Sequence, residues 1–298
     1  MMILKVRIGV ALGAQSAPGE FAGAVDLLEA AGIDSLWLPE RVYGTAIEPF
    51  TGITFALSRT TRLKAGSGVS ILPGRHPALV AKQLASLAGL APGRVLPVFG
   101  LQPAIPAERA LFPVPRGERG AVFDEALLLL RRLLTADAPV TFSGRFFEVT
   151  DAFVGPLPVK PLDIWLAGSA PGALRRAGRL GDGWLGSFLT PAEAGEAVRA
   201  IQDAAAEAGR EVDPDHFGMS IAVAFGPVPR SYVEAVARRR PGLAPESLVA
   251  DGWPGARRQI SAFAEAGVSK FVVRPLGEGV PLAEFLDGFT REIVPLQT

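Results

Sequence analysis

The sequence contains no cysteine and only two histidines, His76 and His216, among its 298 residues. Without cysteine the chain has no disulfide framework, no thiolate nucleophile and no cysteine-type zinc site. Two histidines are also too few for a histidine-rich metal site. We therefore expect no metal centre.

The chain also lacks an excess of either charge, and it lacks a long apolar run. Its 30 Lys and Arg residues balance 30 Asp and Glu residues, which argues against a nucleic-acid-binding surface. No apolar stretch approaches the roughly 18 residues that cross a bilayer, so no membrane span is expected. The first apolar run, Val6–Leu12, carries Arg7 inside it, which is unlike a signal peptide. These features favour a cytoplasmic protein.

What the sequence does have is a regular alternation of short apolar runs with longer amphipathic ones. The predicted strands are Val6–Leu12, Ser35–Leu38, Leu63–Ser70, Val95–Phe99, Asp163–Ala167, Gly183–Leu185, Met219–Phe225 and Lys270–Val273. The predicted helices are Pro18–Ala31, Pro49–Ser58, Pro77–Ala88, Glu118–Thr135, Pro171–Leu180, Pro191–Ala208, Ala256–Ala266 and Leu282–Ile293. Eight strands that are each followed by a helix predict an α/β fold, the closed (β/α)8 TIM barrel, with an open doubly wound sheet as the alternative.

Two stretches depart from this alternation. Gly100–Pro161 is too long for an ordinary strand-to-helix connection, and we interpret it as an insertion after the fourth strand that holds a helix and a hairpin turning at Gly144. Val228–Asp251 is polar, rich in proline and weakly patterned, which is typical of a mobile lid or loop. We expect one domain over residues 1–298, with the insertion at about residues 100–161.

The third βα unit, Arg62–Arg94, is the most informative stretch. Its strand is interrupted by Gly66 and Gly68, and glycine in a strand marks either a bulge or a close backbone approach to a ligand. The alternative is that these glycines only relieve crowding between the strand and its neighbours. The following helix begins at Pro77, and Gly89 is expected to end it.

Chemistry in a barrel of this kind lies at the carboxyl ends of the strands. After the fifth strand, Gly168, Ser169 and Ala170 precede Pro171, so the free N–H groups of a helix N-terminus could bind a phosphate there. The alternative is an ordinary turn.

Four further positions follow the second and fourth strands. Glu40 and Arg41 could orient a substrate or a cofactor edge, or they could form structural ion pairs. Gly100 permits close backbone approach, and Gln102 could donate a hydrogen bond to a ligand, or both could belong to a simple turn.

We interpret both histidines as structural residues and not as catalytic ones. His76 precedes a helix and is interpreted as a capping or loop residue, although substrate binding or proton transfer is the functional alternative. His216 precedes the seventh strand and so lies at the opposite end of the barrel, where we expect a structural role.

Taken together, the segments resemble the luciferase-like flavin and deazaflavin oxidoreductases, which are barrel enzymes. The matching segments are DSLWLPER, RLKAGSGVSILPGRHPALVAKQLASLAGLAPGR, RGERGAVFDEALLLLRRLLT, VTFSGRFFEV and PLDIWLAGSAPGALRRAGRLGDGW. They occur in family order from about residue 6 to residue 225. The overall pattern looks most like the branch of F420-dependent oxidoreductases.

The resemblance implies a cofactor site. In deazaflavin-using members a non-proline cis peptide in the third strand backs the tricyclic ring, which here falls on Gly68 and Val69. The phosphate site after the fifth strand falls on Gly168, Ser169 and Ala170, with Trp184 of the sixth strand alongside. Relatives act on small molecules and are often homodimers.

Two departures from the family pattern bear on mechanism. Many members have Asp-His at the end of the second strand, where this chain has Glu40 and Arg41. The glycine-rich run that ends the fourth strand in many members is reduced here to Gly100, and no acid stands at the matching place. A paired histidine and carboxylate are therefore not supported.

The sequence thus favours an oxidoreductase that uses coenzyme F420 to transfer a hydride to or from an unknown organic substrate. An FMN-dependent monooxygenase is one alternative. A non-catalytic barrel that has lost its cofactor site is another.

Overall fold

The computed structural model describes residues 4–12, 17–158, 160–277 and 280–298. Its main sheet is parallel throughout and is built from the predicted strands, two of which are split. The eight barrel strands, in chain order, are Arg7–Ala11, Ser35–Leu38, Lys64–Ser67 with Ser70–Ile71, Val95–Leu96 with Val98–Gly100, Trp165–Ala167, Gly183–Gly186, Phe217–Ala224 and Lys270–Leu276.

The sheet closes on itself. The first strand pairs with the second and the eighth, and each later strand pairs with the next along the chain. The two halves of the third strand pair separately with the two halves of the fourth, through Ala65 and Val95 and through Ser70 and Phe99. The fourth strand then joins the fifth. The predicted closed barrel is confirmed, and the alternative prediction of an open doubly wound sheet is wrong.

The helices surround this barrel. They span Pro18–Ala30, Pro49–Arg59, Pro77–Leu90, Arg119–Thr135, Pro171–Leu180, Pro191–Glu207, Arg230–Arg239, Gly252–Glu265 and Leu282–Glu292. The third of them continues through Gly89, so the prediction that this glycine ends the helix is wrong. Among the described helices, none combines the length and the apolarity needed to cross a membrane.

The long connection after the fourth strand has the content predicted for it. A short 3-10 helix, Pro106–Leu111, precedes the helix Arg119–Thr135. The strands Val140–Ser143 and Glu148–Ala152 then pair antiparallel as a hairpin. The apolar face of the long helix, including Leu127, is buried in the main core, which ties this segment to the barrel.

The stretch Val228–Asp251 differs from its prediction as a mobile lid or loop. It forms the helix Arg230–Arg239 and the strand Val249–Asp251, which extends the sheet beside the seventh strand. Tyr232 and Val236 anchor the helix in a small separate core. These two residues are four apart, on one helical face. This spacing of two apolar residues was not recognised as helical because arginines and prolines surround it.

Large side chains fill the barrel interior, and glycines at neighbouring positions leave room for them. Trp37 and Trp165 lie in the central cluster with Leu185. A Cβ on Gly66 would lie 2.4 Å from the carbonyl oxygen of Leu96, and a Cβ on Gly183 would lie 2.4 Å from the Trp165 ring. For Gly66, therefore, relief of crowding is the physical reason for glycine.

A buried ion cluster closes the amino-terminal end of the barrel. Asp34, just before the second strand, is ion-paired with Lys270 of the eighth strand and, at 3.0 Å, with Lys64 of the third. Burial alone would raise the pKa of Asp34, but the two ammonium groups outweigh it and lower that pKa to about 2. The carboxylate therefore stays charged and links three strands.

We expect Asp34→Asn to lower the free energy of unfolding by about 3 kcal/mol, because it leaves the buried ammonium of Lys270 without its counter-charge. The carboxylate has an ordinary pKa of 3.8 and a lower folded one. Its stabilisation is therefore complete above about pH 4 and is lost as the pH falls towards 2. Urea denaturation of the wild type should show this acid loss, and the variant should lack the share of it that Asp34 contributes.

Asp26→Asn is the matched control, since Asp26 pairs with Arg59 at the surface with both side chains about half exposed. It should leave the urea midpoint unchanged. Equal midpoints for the two variants would contradict the assignment of the buried cluster.

Candidate functional site

The carboxyl ends of the strands meet around an irregular third strand. This strand is interrupted between Ser67 and Ser70, and the Gly68–Val69 peptide is cis. The predicted bulge or cis peptide is thereby confirmed. A Cβ on Gly68 would lie 3.6 Å from the Trp37 ring and 4.0 Å from Leu185 of the sixth strand. Gly68 therefore faces the barrel interior, and a Cβ there would make only ordinary contacts. Relief of crowding does not explain glycine at this position.

The carboxylate of Glu40 holds this irregular segment in place. The Ile71 N–H donates to Glu40 Oε2 at 2.7 Å, and Arg75 bonds both carboxylate oxygens, at 2.9 and 2.5 Å. The Glu40 N–H donates to the Val69 carbonyl at 3.3 Å. Glu40 is buried. The structural ion pair, one of the two alternatives for this residue, is therefore what the structure shows, with Arg75 as its partner.

Gly100 lies against the bulge. A Cβ at this position would lie 2.7 Å from Cγ2 of Val69. Glycine here lets the Val69 side chain pack against the end of the fourth strand. The close approach predicted for Gly100 is thus made by a side chain of the same protein.

The remaining predicted side chains fall into two groups. Arg41 and Gln102 are exposed at the mouth of the barrel. His76 caps the helix Pro77–Leu90 through Nδ1, which accepts from the Ala78 N–H at 3.3 Å. His216 lies beside Trp165 and bonds the Asp182 carbonyl near the amino-terminal end. Both histidines therefore have the structural surroundings expected of them.

The loop after the fifth strand is open to solvent. Gly168, Ser169 and Ala170 are exposed, and Gly168 has a φ of +121°, which only glycine adopts easily. The helix that begins at Pro171 has no side chain capping its N-terminus. Pro171 has no N–H, and the Ala173 N–H donates to the Ala170 carbonyl at 2.8 Å, so the Gly172 N–H is the helix donor available to an anion.

Trp184 supports this loop from behind. Its indole Nε1–H donates to the Gly168 carbonyl at 2.9 Å, and its side chain is fully buried. The contact fixes the direction of the Gly168 peptide. Trp184 is thus placed beside the predicted phosphate loop, as a support for its backbone.

A cavity of about 510 Å³ extends from this loop between two helices. It is lined by Ser169, Pro171, Leu174, Arg175, Leu189, Glu193, Glu196, Ala197, Ala200 and Arg240. The hydrogen bond from Arg240 is the main cause that lowers the pKa of Glu193 to about 2, so these two charges neutralise each other. Arg175 has no ion-pair partner in the described part of the chain. It is therefore the cation best placed to meet an anion at the loop.

A second group of side chains lies above the barrel mouth. The rings of Phe188 and Tyr232 stack with centroids 5.6 Å apart. The Arg239 guanidinium lies 4.8 Å from the centroid of the Phe188 ring, and that of Arg274 lies 5.2 Å from the centroid of Tyr232. Phe188 has a φ of +58°, which is uncommon for a residue with a side chain. The arrangement holds two arginines on the outer faces of an aromatic stack.

Sequence reasoning missed this group. Arg274 follows Val272 by two residues in the eighth strand, and Val272 belongs to the interior cluster. Because side chains of a strand alternate between its faces, Arg274 lies on the same inner face, nearer the mouth. Extending the predicted strand beyond Val273 would have found it. Arg239 lay in the stretch interpreted as a loop.

Sequence comparison places the chain among known proteins. A sequence profile described as "Luciferase-like monooxygenase" matches residues 1–272. An F420-dependent glucose-6-phosphate dehydrogenase from Kineococcus radiotolerans is 33% identical over 180 residues, which is 57% of this chain and 53% of that protein. The chain thus spans about half the length of this curated relative.

Structure comparison gives the same fold. An F420-dependent secondary alcohol dehydrogenase, solved with an F420-acetone adduct, has a TM-score of 0.83 at 22% identity, covering 99% of this chain and 100% of that one. The oxygenating constituent of a Pseudomonas putida 3,6-diketocamphane monooxygenase, solved with FMN, has a TM-score of 0.75 at 17% identity, covering 99% of both chains. At these identities the likeness shows the barrel fold alone.

We expect Gly100→Ala to lower the free energy of unfolding by about 1–3 kcal/mol, because the new methyl group collides with Val69. Adding Val69→Ala should recover part of that loss, giving a favourable coupling energy in a double-mutant cycle measured by urea denaturation. Gly89→Ala is the control: it lies in a helix with open space around it, so it should stabilise by about 0.5–1 kcal/mol. Additive effects of the two mouth substitutions would contradict the packing described.

Proposed function

This chain belongs to the luciferase-like monooxygenase family, and we propose that it is an oxidoreductase that uses coenzyme F420 to transfer a hydride to or from a small organic substrate. The observation that carries the proposal is the open backbone loop Gly168–Ala170 at an uncapped helix N-terminus, on the same barrel mouth as the irregular third strand. The identity of 33% with an F420-dependent dehydrogenase supports this choice of cofactor.

The residues present fit such a cofactor. At the loop, backbone N–H groups, the exposed Ser169 hydroxyl and the Arg175 guanidinium form a donor set suited to a phosphate. At the third strand, Gly68 places no side chain between its own peptide and the barrel interior, where a Cβ would lie 3.6 Å from the Trp37 ring. We infer that the ring lies against Gly68 and Val69 and that the phosphate is held at the loop.

Bound F420 would supply the hydride chemistry itself. The protein's own residues bind, orient and shield. Glu40 and Arg75 fix the third strand on which the ring would rest, and Trp184 fixes the Gly168 peptide. The stacked rings of Phe188 and Tyr232 cover part of the mouth, which helps to exclude water from the site.

An FMN-dependent monooxygenase is the second candidate. A structural neighbour of that class contains FMN, and the same anion site could hold the FMN phosphate. Titrating the purified protein with F420 and with FMN separates the two, with fluorescence as the readout. We expect F420 to bind at least about tenfold more tightly, a difference of about 1.4 kcal/mol. Tight FMN binding without F420 binding would overturn the proposal, and binding of neither would favour the non-catalytic barrel.

The phosphate loop has its own test. Ser169→Asp places a carboxylate at the helix N-terminus, where it competes with the ligand for the N–H groups and repels the phosphate. We expect F420 to bind about tenfold more weakly, while F0, the deazaflavin without the phosphate, keeps its affinity.

Ser86→Asp, on the outer helix Pro77–Leu90, is the control for added charge and should change neither affinity. Equal weakening of F420 and F0 by Ser169→Asp would place the phosphate elsewhere. The homodimeric state and the cytoplasmic location inferred from the sequence stay predictions, and size-exclusion chromatography with light scattering tests the former.

A further inference from the structure

Three arginines from the described part of the chain converge on the barrel mouth. They come from separate segments: Arg41 follows the second strand, Arg239 ends the helix Arg230–Arg239, and Arg274 lies in the eighth strand. Within the described ranges none of the three has an ion-pair partner. We propose that this arginine cluster binds the anionic group of the substrate, so that the enzyme acts on an organic carboxylate or phosphate.

The geometry of two of these arginines is fixed by aromatic rings. Arg274 lies over Tyr232 and Arg239 lies over Phe188, on opposite sides of one stack. Arg239 also reaches the Ala104 carbonyl, at 3.5 Å, in the loop after the fourth strand. The cluster therefore spans the mouth between the fourth and eighth strands, over the barrel interior where Val272 lies.

No described carboxylate is among the groups that shift the pKa of Arg274 or Arg239. Burial lowers the pKa of Arg274, Tyr232 opposes that effect, and the guanidinium groups of Arg41 and Arg239 lower it further. Burial likewise lowers the pKa of Arg239, and Arg238 and Arg41 add to the effect. Three like charges held this close repel one another, and an anion placed among them would relieve that repulsion.

The arginine cluster is accessible from solvent, and its guanidinium groups have the donors that an anionic ligand needs. Arg41 and Arg239 are exposed, and Arg274 is half-buried, so an anion can enter from solvent and reach the innermost cation. Guanidinium groups present paired donors that match the oxygens of a carboxylate or a phosphate. This cluster is separate from Arg175 and the Gly168–Ala170 loop, which belong to the cofactor site.

The inference rests on the proposed function only in that it calls the bound anion a substrate. Its test is a binding measurement, which does not require the enzyme to turn over. The probes are cinnamate with its neutral counterpart cinnamamide, and phenyl phosphate with phenol. Isothermal titration calorimetry on the purified full chain compares the wild type with Arg239→Gln and Arg274→Gln. Arg230→Gln, on the same helix but facing solvent, is the matched control.

We expect the wild type to prefer at least one anion over its neutral partner by about tenfold or more, and each cluster variant to lose most of that preference. The pair that shows the preference tells carboxylate from phosphate. Arg230→Gln should behave as the wild type, and F420 affinity should be the same in all four proteins. Circular dichroism and F420 binding report whether each variant is folded.

The outcomes separate the two proposals. An anion preference that depends on the cluster, in a protein that does not bind F420, would sink the proposed function and leave the anion site standing. Equal binding of charged and neutral probes, or variants with unchanged preference, would overturn the anion site. A parallel loss of F420 affinity would also overturn it, since the cluster would then serve the cofactor.

Discussion

The mouth of this barrel depends on one buried carboxylate. Glu40 follows the second strand, and its two oxygens receive the Ile71 N–H and both arms of Arg75. These contacts hold the far half of the third strand after its path has been broken at Gly68 and Val69. A broken strand would otherwise leave unpaired backbone groups inside the protein, which is costly. If a cofactor ring lies on the third strand, as proposed, its position depends on this contact.

The two ends of the barrel use charge in opposite ways. At the amino-terminal end, Asp34 is fully compensated by Lys270 and Lys64, and the cluster serves stability. At the mouth, Arg41, Arg239 and Arg274 have no such compensation within the described chain. Charge that is neutralised inside the protein links strands, whereas charge left without a partner in a cleft is available to a ligand. The asymmetry supports the proposal that ligands bind at the carboxyl ends of the strands.

The fold was predictable from sequence because its signals are local and repeated. Ser35–Leu38 and Pro171–Leu180 have the predicted bounds, since apolar runs and first-turn prolines mark them clearly. The break at Gly68 and Val69 came from the family resemblance, because glycine alone permits either a bulge or ordinary packing. The partner of Glu40 could not be predicted, since Arg75 is distant in sequence. The arginine cluster was missed because the eighth strand was predicted to end before Arg274 and the helix that carries Arg239 was interpreted as a loop.

The central claim is that F420 lies across this mouth, with its ring on the third strand and its phosphate at the loop after the fifth. A crystal structure of the protein grown with F420 tests it most directly. We expect a deazaflavin ring in contact with Gly68 and Val69, and a phosphate within hydrogen-bond distance of Ser169 and of the Gly172 N–H at the start of the helix Pro171–Leu180. A ring bound away from the third strand, or a phosphate held by Arg239 and Arg274, would contradict it.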